Sequence, residues 1–303
     1  MVNKFALNFG FVDNPSPRKQ HNFPIARIGG ISIVLGFFLT LLITSFLIPN
    51  VFNYFLSNNE KFIYVFIGSI MMFFLGFADD IKGMSPWSRL IGQTIISSIL
   101  WSRGVSLNSI SLDNIGILDH TFYLNTYTSF FITVIWLVGI TNAFNWIDGL
   151  DGLAVGIAFI SSISFIIIFK KFNSSELIYL STIIAGSSLG FLLNNIHPAK
   201  IFMGDGGAYF LGFSLGALSL YDFNNDLNNQ SFILCLLVLT LPLIDMASVI
   251  FRRVYNGKSP FYPDKTHFHH YLLKRGFNHA NTVFILYFLS FIFSFFTILI
   301  MKI

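Results

Sequence analysis

The sequence predicts an all-α protein, a polytopic membrane helical bundle of about nine transmembrane helices. Of its 303 residues, 54% are hydrophobic and only 11% are charged, and the mean hydropathy is +0.70. Soluble domains carry about 25% charged residues, so this chain has too little charge to cover a water-facing surface of its size. The single cysteine, Cys235, lies in an apolar run and allows no internal disulfide.

Nine apolar stretches are candidates to cross the membrane. A helix needs about 20 apolar residues to span a bilayer, and shorter segments are tolerated inside a bundle. No internal repeat or low-complexity linker separates the stretches, so residues 1–303 are predicted to form one integral membrane domain. In chain order the stretches are Ile28–Pro49, Phe62–Ala78, Leu90–Arg103, Ser129–Ile140, Leu153–Phe169, Leu177–Asn194, Ala208–Leu220, Phe232–Phe251 and Val283–Met301.

The distribution of charge predicts the orientation. Nine spans place the termini on opposite sides of the membrane. With the N-terminus in the cytoplasm, 13 of the 18 lysines and arginines fall in the inner segments, as the positive-inside rule requires. All but one of the 7 histidines, together with most of the aspartates, fall on the same side. We therefore expect the active site to be formed by cytoplasmic loops.

Two adjacent aspartates, Asp79 and Asp80, end the second apolar stretch. Neighbouring carboxylates repel each other, so the pair requires water, a cation or a shared proton. The alternative interpretation is a solvated helix end with no chemical role. The pair alone does not decide between the two.

Asn145, Asp148 and Asp151 follow one another at intervals of three residues, which predicts that they share one face of a helix. An amide oxygen and two carboxylates are hard oxygen donors that suit Mg²⁺ or Mn²⁺. A glycine follows each of the two aspartates and allows a phosphate group to approach closely. Polar capping of a helix end is the alternative, although it does not require this spacing.

Asp205 lies between Gly204 and Gly206, just before a predicted helix. The N-terminus of a helix presents free N–H groups and favours anions. A carboxylate at this place could hold a metal ion that bridges a pyrophosphate. The alternative is an ordinary N-cap aspartate.

The loop from Arg252 to His270 is basic, aromatic and rich in histidine, which suits phosphates and a sugar ring. Its histidines have neutral and charged forms that are both accessible near neutral pH. Two other interpretations are positive-inside anchoring by the arginines and a zinc site, although the spacing fits no common zinc motif. Asp245, within the eighth span and near a kink expected at Pro242, is predicted to be a structural residue or a wall of the site.

Taken in this order, the segments resemble the polyprenyl-phosphate N-acetylhexosamine-1-phosphate transferases, glycosyltransferase family 4. The similarity is greatest to the undecaprenyl-phosphate N-acetylglucosamine-1-phosphate transferases that begin O-antigen, enterobacterial common antigen and teichoic-acid linkage. Two departures concern the chain before Asp13, where such members usually have a span, and Ala26, where they usually have proline. Besides the motifs above, the resemblance rests on Asp13–Pro15, Arg18–His21, Arg27–Gly30 and Ser259–His270.

The resemblance implies transfer of an N-acetylhexosamine-1-phosphate from a UDP-sugar to undecaprenyl phosphate, with release of UMP, at the bacterial inner membrane. N-acetylglucosamine is the expected sugar, and N-acetylfucosamine and N-acetylquinovosamine are alternatives. The product would start a lipid-linked surface glycan such as lipopolysaccharide or a cell-wall polymer. Mg²⁺ is the implied cofactor, with Mn²⁺ as a substitute. The implied partners are UDP-N-acetylhexosamine, undecaprenyl phosphate and membrane lipid; no nucleic acid is expected, and a homo-oligomer is left open.

The resemblance also implies residue roles. Asp205 is the first candidate for a metal ligand, followed by Asn145 and Asp148. Either Asp79 or Asp80 removes the last proton of the lipid phosphate, or an aspartate attacks first and forms a phospho-enzyme. The implied catalytic residues are Asp79, Asp80, Asp148, Asp151, Asp205, His267, His269 and His270. The implied substrate-binding residues are Lys19, His21, Arg27, Asn195, Phe202, Arg252 and Arg253, with Asp151, Asn195 and Phe202 in the uridine pocket.

Three other classes of protein fit the sequence less well. An ion-coupled transporter would place its ionisable groups near the bilayer midplane at broken helices, whereas these carboxylates lie at the ends of predicted spans. A CDP-alcohol phosphotransferase would carry an alanine and an arginine after its first Asp-Gly pair, and the segment Asp148–Val155 lacks that arginine. A non-catalytic membrane scaffold would not need the acidic cluster.

Overall fold

The fold is a bundle of α-helices, seen in a computed structural model that describes residues 2, 6, 10–13, 24–47, 60–112, 120–221, 231–262 and 264–301. Two antiparallel two-stranded sheets accompany the helices, one from β1 (Val12–Asp13) and β2 (Ile25–Ala26), the other from β3 (Ser109–Ser111) and β4 (Thr121–Tyr123). The helices are α1 (Gly30–Leu47), α2 (Glu60–Lys82), α3 (Pro86–Ser102), α4 (Thr126–Ile147), α5 (Leu153–Lys171), α6 (Ser175–Asn195), α7 (Gly204–Leu220), α8 (Phe232–Val238), α9 (Thr240–Tyr255), α10 (Phe268–Lys274) and α11 (His279–Ile300).

The prediction of a polytopic helical membrane protein is confirmed. Each of the nine predicted stretches is helical, and six of the described helices are long and apolar enough to cross a membrane, namely α1, α2, α4, α5, α6 and α11. The pair α8 and α9 makes a seventh candidate if it is counted as one broken span. The remaining two stretches, α3 and α7, have 17 residues each and are short for a span.

The eighth stretch is broken where the sequence predicted a single kinked span. Helices α8 and α9 meet at a 69° bend, and the break falls at Leu239, three residues before Pro242. A proline has no N–H, and its ring clashes with the carbonyl four residues earlier. For Pro242 that carbonyl belongs to Val238, the last residue of α8, so the bend lies one turn before the proline.

Helix α7 forms the centre of the bundle and is buried from Gly206 to its end. It packs mainly against α2 and α4. Glycines permit this close approach, because a Cβ atom on Gly216 would lie 2.4 Å from Cγ2 of Ile140, and one on Gly76 of α2 would lie 2.5 Å from the carbonyl oxygen of Asp205. The ends of α2, α4 and α7 that carry the sequence motifs therefore meet at one end of the bundle.

The segment before α1 is fastened to the same end. Strand β2 forms a parallel bridge from Ala26 to Ile201, and the carbonyl oxygen of Ala26 accepts a hydrogen bond of 2.8 Å from the N–H of Phe202. The N–H groups of Gly29 and Gly30 donate to the carbonyls of Phe202 and Met203. These backbone bonds place Arg27 beside the start of α7.

Candidate functional site

A polar cavity of about 810 Å³ lies at the end of the bundle where the motifs meet. Residues from five separate parts of the chain line it, so the gathering of polar groups at one face that charge distribution predicted is present in the fold. The lining includes Asp13, Arg27, Asp148, Asp151, Asn195, His197, Phe202, Asp205, Lys265, His270 and His279.

Asp79 and Asp80 point in different directions and have different partners. Asp79 accepts hydrogen bonds from the N–H of Met84 (2.6 Å) and from Nη1 of Arg89 (2.9 Å). Asp80 has a side chain that is 1% exposed, and it accepts from Nε of Arg27 at 3.2 Å. The two carboxylates therefore relieve their repulsion by pairing with different arginines.

Asp80 also fixes the start of α7. Its two carboxylate oxygens accept from the backbone N–H groups of Asp205 (2.9 Å) and Gly206 (3.0 Å). Free N–H groups at a helix N-terminus favour a negative charge. Gly204 has a φ of +72°, and a Cβ atom there would lie 2.6 Å from Oδ2 of Asp80, so only glycine permits this contact.

Asp205 lies within the first turn of α7 and is the shared neighbour of the acidic cluster. Its Oδ1 accepts from Nδ2 of Asn145 at 2.7 Å, and its Oδ2 lies 3.9 Å from both Arg27 and Arg89. Asp79 is its neighbour, because Nη1 of Arg89 lies near both carboxylates. At 18% exposure, the Asp205 side chain is open to the cavity while surrounded by charge.

The prediction that Asn145, Asp148 and Asp151 share one helical face is wrong, because α4 ends at Ile147. Asp148 follows the helix as its C-cap, and Asp151 lies in the turn before α5, where Gly152 has a φ of +81°. Both aspartates nevertheless line the cavity. Burial, followed by the charges of Asp205, Asp80 and Asp151, raises the pKa of Asp148 to about 8.

Asp151 belongs to a separate cluster with two histidines. Its Oδ2 lies 2.7 Å from Nδ1 of His197 and accepts from the N–H of Ala199 at 3.1 Å, while its backbone N–H donates to Nε2 of His279 at 3.2 Å. Within the described residues, these three side chains form a group that could hold a metal ion. The imidazole rings are stacked, however, with centroids 4.0 Å apart and planes 19° apart. Nearly parallel rings do not direct their nitrogens at one point, so the arrangement fits a hydrogen-bonded cluster better than a metal centre.

The predicted substrate-binding residues differ in their relation to the cavity. Phe202 and Arg27 reach the cavity. Asn195 borders it, but its amide bonds to backbone at both ends, to Gly152 N and Ile201 O, so the side chain braces two turns. Arg252 does not line this cavity, and its guanidinium bonds back to Ser248 of its own helix. Lys19 and His21 lie outside the described residues.

The three loop histidines face different surroundings. His270 lines the polar cavity, and burial together with the charges of His267 and Lys265 lowers its pKa. His269 is 2% exposed and packs against Gly149. Burial, with a smaller effect of His270 and His267, lowers the pKa of His269 to about 3. The expectation that both its neutral and charged forms are accessible near neutral pH is therefore wrong for His269.

A second cavity, a groove of about 440 Å³, lies beside the first between α3, α4 and α9. Its walls are mostly apolar, from residues such as Leu90, Ile135, Val138, Met246 and Ile250. Its polar atoms come from Arg89, Asn142, Trp146, Arg253 and His267. Arg89 connects the two cavities, because it lines the groove and bonds to Asp79 next to Asp205.

Arg253 is held rigidly at the rim of this groove. Its guanidinium is 6% exposed, bonds to both oxygens of Asp264 at 3.1 Å, and lies 4.8 Å above the ring of Trp146. Although burial opposes it, hydrogen bonding by Arg253 holds the pKa of Asp264 below its ordinary value. Arg253 is thus built into the loop and is more than a positive-inside anchor.

Sequence reasoning missed Arg89, His197 and His279 as site residues. A signal existed for Arg89, since an arginine in the first turn of an apolar helix requires a partner. His197 and His279 are 82 positions apart in the sequence, and only the fold brings their rings into contact. No local pattern could have paired them.

The fold and the site together define an integral membrane protein with a carboxylate-rich polar site at one end of its helices. The sequence pattern of glycosyl transferase family 4 matches residues 62–222. The chain belongs to this family, which argues against the transporter alternative.

Three relatives illustrate the similarity. A probable undecaprenyl-phosphate N-acetylglucosaminyl 1-phosphate transferase of Bacillus subtilis is 33% identical over 97% of this chain and 78% of its own length. The decaprenyl-phosphate N-acetylglucosaminephosphotransferase of Mycolicibacterium smegmatis is 33% identical over 94% and 74%. The undecaprenyl-phosphate alpha-N-acetylglucosaminyl 1-phosphate transferase of Thermotoga maritima is 33% identical over 89% and 75%.

Proposed function

We propose that the protein transfers N-acetylglucosamine-1-phosphate from UDP-N-acetylglucosamine to undecaprenyl phosphate and releases UMP. The observation that carries the proposal is the pair of neighbouring cavities: a polar cavity lined by carboxylates, and an apolar groove bordered by Arg89 and Arg253. A nucleotide sugar suits the first, and a phosphate on a long hydrocarbon tail suits the second. The names of the three relatives specify this type of reaction.

In the proposed reaction, an oxygen of the lipid phosphate attacks the β-phosphorus of the UDP-sugar, and the diphosphate P–O bond breaks with its electron pair leaving on UMP. Two anions must approach each other, so positive charge is needed between them. Arg89 lies where the cavities meet and can supply part of this charge. Since each oxygen of Asp80 already accepts a backbone N–H, direct attack by the lipid is favoured over attack by that aspartate.

We propose Asp205, Asp148 and Asn145 as the ligands of a Mg²⁺ ion, for which Mn²⁺ can substitute. The donor set is composed of oxygen atoms, and its two carboxylates line the same cavity while repelling each other, which a divalent cation would relieve. When bound, the ion would neutralise charge on the diphosphate. Phe202 offers a ring face to the uracil, and Arg27, with 44% of its side chain exposed, can reach a phosphate.

We further propose that this end of the bundle faces the cytoplasm at the bacterial inner membrane. The positive-inside asymmetry of the sequence supports that orientation. The sugar is the least constrained part of the proposal, so N-acetylfucosamine and N-acetylquinovosamine donors are retained as alternatives.

The test is an assay of purified protein with undecaprenyl phosphate and Mg²⁺ against a panel of UDP-sugars, reading both UMP and the lipid-linked product. We expect UDP-N-acetylglucosamine to give both products, EDTA to stop turnover, and added Mg²⁺ or Mn²⁺ to restore it. Release of no UMP from any UDP-sugar would refute the proposed reaction. Full turnover after rigorous chelation would refute the metal requirement alone.

A further inference from the structure

Asp245 is a buried acidic residue, and each of its carboxylate oxygens has a hydrogen-bonding partner. It lies on α9 and is 1% exposed. Its Oδ2 lies 2.7 Å from Nδ1 of His267, and its Oδ1 accepts from the N–H of Phe268 at 2.7 Å. A buried carboxylate is costly unless it is paired and hydrogen-bonded. This one joins α9 to the beginning of the histidine segment.

The contact with Asp245 fits the tautomer of His267 that carries its proton on Nδ1. An ionised carboxylate only accepts, so Nδ1 of His267 donates to Asp245, and Nε2 is left as the acceptor. The ring is 8% exposed and lines the apolar groove together with Arg253 and Trp146. The Trp146 ring stands perpendicular to it with centroids 6.0 Å apart. The contact with Asp245 therefore fixes the orientation of an imidazole ring that lines the groove.

We propose that Nε2 of His267 binds the phosphate of the lipid acceptor and takes its remaining proton, and that Asp245 is the positioning residue for this imidazole. The proposal rests on the function proposed above. One O–H bond of the phosphate monoester breaks and one N–H bond forms at Nε2, so the phosphate becomes a dianion and the imidazole a cation. Asp245 stabilises that cation through Nδ1–H. The proton leaves with product release, to UMP or to water.

This assignment differs from the expectation that Asp79 or Asp80 removes the proton. Both oxygens of Asp79 are bonded, one to Met84 N and the other to Arg89, and both oxygens of Asp80 face the start of α7. His267 lies in the groove itself. The proposed role of His267 also explains why the loop has two histidines in different places. His270 reaches the polar cavity, and His267 lies against the apolar groove.

The variant Asp245→Asn separates positioning from folding. The amide oxygen can still accept from the N–H of Phe268, which preserves the start of α10. The amide nitrogen can only donate to Nδ1, which forces the proton onto Nε2 and removes the acceptor from the groove. We expect kcat/KM for undecaprenyl phosphate to fall about 10²-fold or more, while the KM for the UDP-sugar and the unfolding temperature stay close to wild type.

A double-mutant cycle with His267→Gln decides whether Asp245 acts through His267. We expect His267→Gln to show the same acceptor-specific loss, and Asp245→Asn to add little to it. Losses that multiply in the double variant would overturn the proposal, because Asp245 would then act on the loop as a whole. Asp264→Asn is the matched control: it loosens the Arg253 contact in the same loop, and its loss should multiply with that of His267→Gln.

The outcomes also separate this proposal from the proposed function. Wild-type protein that releases no UMP would refute the reaction itself. Wild-type protein that turns over while His267→Gln keeps the wild-type acceptor KM and kcat would refute only the role of the pair. If Asp245→Asn fails to fold, the kinetics of His267→Gln still decide whether the imidazole serves the acceptor.

Discussion

Replacing His269 with glutamine is expected to make the protein more resistant to acid. The ring is 2% exposed and lies against Gly149, where a Cβ atom would be 2.4 Å from Nε2. Burial, aided by His270 and His267, lowers the pKa of His269 from 6.5 to about 3. Between these values the unfolded chain binds a proton that the folded protein does not. Stability therefore rises with pH across this range and is lost as the pH falls.

The difference between a pKa of 6.5 and one of about 3 lowers the free energy of unfolding by about 5 kcal/mol as the pH falls through the full range. About 2 kcal/mol of this decrease falls between pH 6.5 and pH 5. Chemical denaturation in detergent, followed by the fluorescence of the 4 tryptophans, measures the free energy of unfolding at each pH. We expect His269→Gln to flatten this pH dependence. His120→Gln, which removes an exposed histidine, should keep the wild-type slope. Equal slopes for wild type and His269→Gln would refute the reasoning.

Three further predictions concern the acidic cluster and the orientation. Asp205→Asn should lower turnover by about 10²-fold or more. The free energy of unfolding should change by no more than about 1 kcal/mol, since the new side-chain oxygen can still accept from Nδ2 of Asn145. Near-normal turnover would exclude a ligand role for Asp205. Asp80→Asn should instead destabilise the fold by about 1–3 kcal/mol, because the amide nitrogen cannot accept from one of the two backbone N–H groups at the start of α7; an unchanged unfolding curve would contradict its role in anchoring α7. Cysteines placed at Ser85 and Lys258 should be shielded from an impermeant thiol reagent in intact cells, while one at His120 should label; the reverse pattern would invert the orientation.

The helices were predictable from sequence because a run of apolar residues needs no partner to be recognised. All nine stretches are helical, although the bounds of α4 differ by several residues from those predicted. The bend was predicted at Pro242 but lies at Leu239, because a proline disturbs the carbonyl one turn before it. The short strands escaped notice, since β1 and β2 hold only two residues each and their pairing depends on the segment before α7.

The composition of the site was predictable, but its connections were not. Clustering of aspartates and histidines at loop positions indicated the end of the bundle where the polar cavity lies. The spacing of Asn145, Asp148 and Asp151 was misleading, since α4 ends at Ile147, before both aspartates, and Asp151 joins a separate cluster with His197. The pairs Asp151 with His197 and Asp245 with His267 join distant parts of the chain. Such contacts follow from tertiary packing and leave no local pattern.

The ion pairs of the cluster divide it into a fixed and an adjustable part. Asp80 is 1% exposed and holds the start of α7 through two backbone bonds, so its position is part of the fold. Asp205 has arginines at 3.9 Å on two sides, farther than a direct hydrogen bond. Long, partly exposed ion pairs contribute little stability and separate at little cost. In the proposed reaction, Arg27 and Arg89 would turn from Asp205 to the phosphates of the two substrates, and the Asp205 carboxylate would be left for the proposed cation.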